Sequence, residues 1–148
     1  MMIAGAAVLV TQIAPIQEVH AQSSCTVTNW TGGYAYLLNG FTYDQFGQID
    51  LTASGRLVAD GAGNLTAGDT LSYDGSIIKR SYTGTYTIAS DCTGSLVLTS
   101  SNGNKANYDF VMYNNGKEVN LIETDSGVIF SGVAKQQVQS QTAAAPTQ

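Results

Sequence analysis

The chain has 148 residues, room for one domain with one core. Only 11% of its residues are charged, yet there is no continuous apolar run long enough to cross a bilayer. The 43% hydrophobic content, set largely in alternation, argues against disorder. Six Lys and Arg against eleven Asp and Glu leave a formal charge of −5, which disfavours nucleic acid and anionic membrane as partners, since phosphate binding needs a basic surface.

The first stretch, MMIAGAAVLVTQIAPIQEVHAQ, is apolar from Met1 to Val10 and ends in Val19-His20-Ala21. That pattern predicts an export signal cut after Ala21, a folded domain over 22–136 and a disordered tail over 137–148. The positively charged start typical of such signals is missing, the first basic residue being Arg56. The alternative, a buried N-terminal helix, is disfavoured because Gln12, Pro15, Gln17 and Glu18 interrupt any apolar face. His20 is the only histidine and would leave with the signal. A mature domain without imidazole excludes Ser-His-Asp and Cys-His nucleophile systems and the usual zinc sites, so no metal and no cofactor are expected.

Export, secreted or periplasmic, supplies an oxidising compartment, and the two remaining cysteines, Cys25 and Cys92, can form one bridge. Cys25 precedes the first strand and Cys92 falls on a turn. Closing about 68 residues would remove ~4 kcal/mol of denatured-state freedom in the loop-entropy account. Two rivals stand beside the bridge. Acylation at Cys25 lacks the leucine-like residue expected upstream in QSSC, and a reactive Cys92 would need a basic neighbour where Asp91 stands.

Alternation with a period of two recurs from Gly33 onward, while no apolar 3.6-residue pattern follows the signal. It predicts strands over 33–42, 49–59, 65–74, 77–89, 95–100, 106–113, 118–124 and 128–136. DGAGNL at 60–65 and DCTGSL at 91–96 share a D-x-x-G turn, and SNGN, NNGK and TDSG are equally short hairpin signals. The D-x-x-G turns lack the alternate carboxylates of a calcium loop. The fold class is therefore all-β, an eight-stranded antiparallel up-and-down meander that escapes free edges by closing into a barrel; a two-sheet sandwich is the alternative.

With GTYTIASDCTGSL and NNGKEVNLIETDSGVIFSGVAKQQ in view, the chain resembles a group of small secreted bacterial proteins of unassigned function. In that group a G-T-Y-T strand enters a D-C-T-G turn, and a G-K-E strand is followed by a D-x-G turn. The match spans roughly residues 54–136 with Cys25 also in place, and implies no activity. The meander is also similar, at the level of fold alone, to lipocalin and allene-oxide-cyclase barrels, without a G-x-W signature around Trp30.

Following the alternation, Tyr34, Tyr36, Tyr73, Tyr82, Tyr86 and Tyr108 share a face with the core leucines. So many inward hydroxyls suggest a polar-dotted cavity for a small amphipathic ligand, or plain packing with hydroxyls bonded at the barrel ends. Glu123 is in phase with Val119 and Leu121, and is the single catalytic candidate, a general acid or base for a histidine-free isomerase or cyclase; a strand-end position would instead leave it in water. Asp69 could be its partner, unless a bulge at Ala67-Gly68-Asp69 turns it outward. The outward Thr and Ser ladders suit a different role, an extracellular structural or adhesive subunit that self-associates or meets a surface partner. N-W-T at 29–31 and N-L-T at 64–66 match a glycosylation pattern, relevant only in a host that uses it.

Overall fold

The structure, a computed structural model, describes residues 24–138. The expected export signal with His20, and all but the first two residues of the expected tail, lie outside the described residues. Eight antiparallel strands follow in sequence: β1 (Thr31–Asp44), β2 (Gly47–Asp60), β3 (Asn64–Tyr73), β4 (Ser76–Ile88), β5 (Thr93–Ser100), β6 (Lys105–Tyr113), β7 (Glu118–Glu123) and β8 (Val128–Gln136). Each pairs with the next, and β8 pairs back onto β1, so the sheet is a closed barrel and the sandwich alternative is set aside.

Closure follows from which residues face inward. Along β2 the odd positions Ile49, Leu51, Ala53, Leu57 and Ala59 are buried, while their even neighbours are mostly exposed. The same phase recurs in β6, where Tyr108, Phe110 and Met112 enter the core. At the seam Leu38 of β1 lies opposite Ala53 on one side and Gly132 on the other. Two inward glycines let the seam bend: a Cβ at Gly40 would strike the Ile129 carbonyl, and one at Gly132 the Leu37 carbonyl.

One end of the barrel is closed by the lead-in to β1. Trp30 is fully buried, its ring centroid 4.6 Å from that of Phe110 and 5.0 Å from that of Tyr86, with Tyr34 edge-on at 6.2 Å. The Tyr86 hydroxyl donates to the carbonyls of Val27 and Trp30, at 3.1 and 2.9 Å, and the Tyr34 hydroxyl to that of Gly116 at 2.6 Å. Cys25 and Cys92 form a disulfide with Cα atoms 5.0 Å apart, and Cys25 N–H donates to the Ser90 carbonyl at 3.1 Å. The bridge thus ties this plug to the β4–β5 turn. In both D-x-x-G turns the carboxylate accepts backbone N–H groups, Asp60 from Ala62 and Asn64 and Asp91 from Thr93. Those carboxylates build turns. The opposite end, carrying the β1–β2, β3–β4, β5–β6 and β7–β8 connections, has no such plug among the described residues.

Candidate functional site inside the barrel

Asp69 sits in the middle of β3, opposite Gly55 of β2 and Arg80 of β4. The β3–β4 ladder runs unbroken from Asn64 to Tyr73, so the bulge that would turn Asp69 outward does not form. Its side chain lies inside, 2% exposed. There Arg80 grips it with two parallel bonds, Nε to Oδ1 at 2.8 Å and Nη2 to Oδ2 at 2.7 Å, and the Tyr36 hydroxyl donates to Oδ2 at 2.9 Å. The guanidinium also lies 5.4 Å from the centroid of the Tyr82 ring, two residues along the same strand face.

Electrostatics follow from this packing. Burial alone would lower the Arg80 pKa, but the hydrogen bonds and charge of Asp69 outweigh it and hold the guanidinium charged. Burial and the neighbouring carboxylate push the Tyr36 hydroxyl far above the phenol range. A second pair lies nearby, where the Tyr108 hydroxyl donates to Glu123 Oε2 at 2.9 Å. Burial, then the Glu123 charge, push Tyr108 far up as well. The Glu123 carboxyl is itself raised, mainly by burial, with the Tyr108 bond pulling the other way and Asp125 adding repulsion. Glu123 therefore takes a position between its two expected placements: inward in phase, but at the last residue of β7 and partly exposed.

Beside Tyr36, Asp69, Arg80, Tyr82 and Tyr108, but not lined by Glu123, is a space of about 450 Å³, counting its solvent-filled mouth. Leu57, Leu65, Leu96 and Leu121 wall it toward the plugged end, and Tyr36, Asp69, Arg80, Tyr82 and Tyr108 wall it beyond them. Only about 30 Å³ admits the centre of a water molecule, so the enclosed part holds a couple of waters and anything larger must reach into the mouth or displace side chains. Among the described residues the Tyr82 hydroxyl has no hydrogen-bond partner, and Arg80 engages only Nε and Nη2.

The six tyrosines divide. Tyr36, Tyr82 and Tyr108 meet at the space, whereas Tyr34 and Tyr86 belong to the plugged end with hydroxyls on backbone carbonyls, and Tyr73 stands at the opposite rim, 37% exposed. Inward tyrosines therefore stand both beside the space and at the plugged end, where their hydroxyls bond backbone carbonyls. Sequence reasoning missed Arg80, although its spacing of two from Tyr82 was the available signal. It also missed Trp30, which stands before the first alternating run and gives no periodic cue. The Trp30 indole N–H is buried without a partner among the described residues.

No family model and no curated protein matches the chain, so the resemblance to secreted bacterial proteins finds no support there. Solved structures do match. A de novo designed fluorescence-activating β-barrel aligns at TM-score 0.54 and 12% identity over 75% of this chain and 96% of its own. A redesigned β-barrel aligns at TM-score 0.53 and 16% identity over 76% of this chain and 96% of its own. At such identity the likeness concerns the fold alone. Among the described residues no helix is long and apolar enough to cross a membrane, and no three His, Cys, Asp or Glu side chains converge as metal ligands would.

Proposed function

We propose that the chain is an exported, non-enzymatic barrel that takes a small amphipathic ligand through its unplugged end. The apolar part would lie among the leucines and the polar part against the Asp69, Arg80 and tyrosine layer. One observation carries this reading: an ion pair whose carboxylate is buried and whose guanidinium is partly so faces a space inside the barrel together with three tyrosines. Aliphatic side chains would fill a small barrel at equal or better stability, because a buried pair roughly breaks even against hydrophobic residues of similar volume. Polar groups converging on an apolar pocket are instead what orients a ligand. Export is supported by the Cys25–Cys92 bridge, which suits a secreted or periplasmic location. Titration with N-phenyl-1-naphthylamine, a small neutral apolar fluorophore, tests the reading. Saturable one-site enhancement is expected, and Ala67→Phe, which fills the space, should abolish it while the near-ultraviolet circular dichroism keeps its folded form. Absence of saturable binding by the wild type would overturn it.

A second reading, a self-associating structural or adhesive subunit, draws on the outer face of the seam. Leu37, 51% exposed, lies opposite Val133, and Ile129, 52% exposed, lies opposite Phe41. Sedimentation across a hundredfold range of concentration separates the two: a monomer throughout supports the ligand barrel, and concentration-dependent assembly supports the subunit.

A further inference from the structure

We propose that the site selects a ligand with a cationic head, a primary amine or quaternary ammonium on a short apolar body, whose charge rests at Glu123. This rests on the ligand-binding reading above and names the chemistry of that same site. The interior holds three ionisable charges near the space, Asp69, Arg80 and Glu123. Two cancel: Arg80 gives two of its nitrogens to Asp69, which also receives Tyr36. Glu123 is left over. It has no ion-pair partner among the described residues, and only the Tyr108 hydroxyl, on one of its two oxygens, bonds it. Glu123 does not itself line the space; it stands just outward of two residues that do, Tyr108, whose hydroxyl bonds it, and Leu121, two residues earlier on the same strand face.

The ring faces agree with that charge. Tyr82 and Tyr108 stand at the space, and the Tyr82 ring already accepts one cation, Arg80. The rim adds Asp125 next to Glu123 in the β7–β8 connection, and Asp44 and Asp74 at the neighbouring hairpin tips, against Lys79 and Lys105. The domain left after the expected cut at Ala21 loses Glu18 and keeps 6 basic and 10 acidic residues, a formal −4, so its field favours cations over anions. A carboxylate head would be repelled by Glu123 and Asp69, and the nearest cation, Arg80, already gives two of its nitrogens to Asp69. A neutral head would leave Glu123 unpaired as the ligand expels water from around it.

Matched eight-carbon probes test this. At pH 8, octylamine, octanoate and octanol are titrated against bound N-phenyl-1-naphthylamine. Octylammonium is expected to displace it at about tenfold lower concentration than octanol or octanoate, the size expected of one partly desolvated charge contact with aromatic support. In Glu123→Gln that advantage should fall below about twofold, as the charge contact is lost. In the wild type, the Glu123 carboxyl carbon resonance should move on saturation with octylamine and stay in place with octanol, which reads the same contact without a substitution. Equal displacement by all three probes, a preference for octanoate, or an amine preference that survives in Glu123→Gln would overturn the cationic assignment while leaving the ligand site standing. Failure of all three probes and of the fluorophore to bind would instead bring down the ligand reading beneath it.

Discussion

Both carboxylate oxygens of Asp69 are engaged inside the barrel, by Arg80 on two nitrogens and by the Tyr36 hydroxyl. Removing one member of such a pair strands the other in a medium that solvates it poorly. Arg80→Met should therefore cost about 3 kcal/mol in urea unfolding, and Asp69→Leu a similar amount. The double variant should lose clearly less than the two singles added together, because no charge is then left behind. Additive losses would show that the pair is not coupled. Glu123 makes the opposite case. Its carboxyl is raised in the folded barrel, mainly by burial, so the folded state holds its proton more tightly than the unfolded chain does. Its contribution to stability is greatest below the ordinary carboxylate range and declines as pH climbs through the raised folded value. Glu123→Gln should then raise the melting temperature by a few degrees at pH 7 and leave it nearly unchanged at pH 3.5, where wild-type Glu123 is already protonated. A variant that melts lower than wild type at pH 7 would show that the ionised carboxylate stabilises the barrel.

The lead-in to β1 makes no strand, yet it supplies Trp30, the largest side chain of the plug, and its hold depends on the Cys25–Cys92 bridge and on the Tyr86 hydroxyl. With the cysteines 67 residues apart in sequence, replacing both by Ser should cost about 4 kcal/mol by the loop-entropy account. It should also let the lead-in loosen before the barrel does. The check is Trp30 fluorescence followed alongside far-ultraviolet circular dichroism. In the Ser variant the emission should shift red at lower denaturant than the strand signal is lost, whereas the bridged protein should lose both together. The strands were legible in sequence to within about two residues, because one face of each is buried and alternation with turn glycines marks both phase and ends. The lead-in was not, since a plug has no period and Trp30 is recognised only by what surrounds it. Arg80 was missed for a related reason. A charged residue beside Lys79 reads as part of a solvated face unless a buried carboxylate waits on the neighbouring strand, and Asp69 is eleven positions away.

Closure is a property of the whole chain: β1 must find β8, and no local pattern separates that pairing from two sheets packed face to face. The seam shows what decides it. Leu37 pairs with Val133, Leu38 with Gly132 and Gly40 with Phe130, and the sheet can bend through these pairs because Gly40 and Gly132 leave their inner positions empty. A methyl at Gly132 meets the Leu37 carbonyl, an atom of the ladder that cannot step aside without breaking β1–β8 pairing. Gly132→Ala should therefore destabilise by about 2–3 kcal/mol, at the upper end of overpacking costs. A matched control lies in the same sheet at Gly68, where an added Cβ finds only the Arg80 carbonyl at 3.5 Å, an ordinary contact. Gly68→Ala should change stability by less than about 1 kcal/mol, and in the favourable direction if reduced freedom of the unfolded chain dominates. The two variants also differ in what they expose. An opened seam presents two unpaired edges flanked by Leu37 and Ile129, so Gly132→Ala should aggregate on heating under conditions where Gly68→Ala remains monomeric. Light scattering during a thermal ramp separates these outcomes. Equal behaviour of the two variants would mean that curvature is spread around the barrel, and that closure does not hang on the β1–β8 glycines.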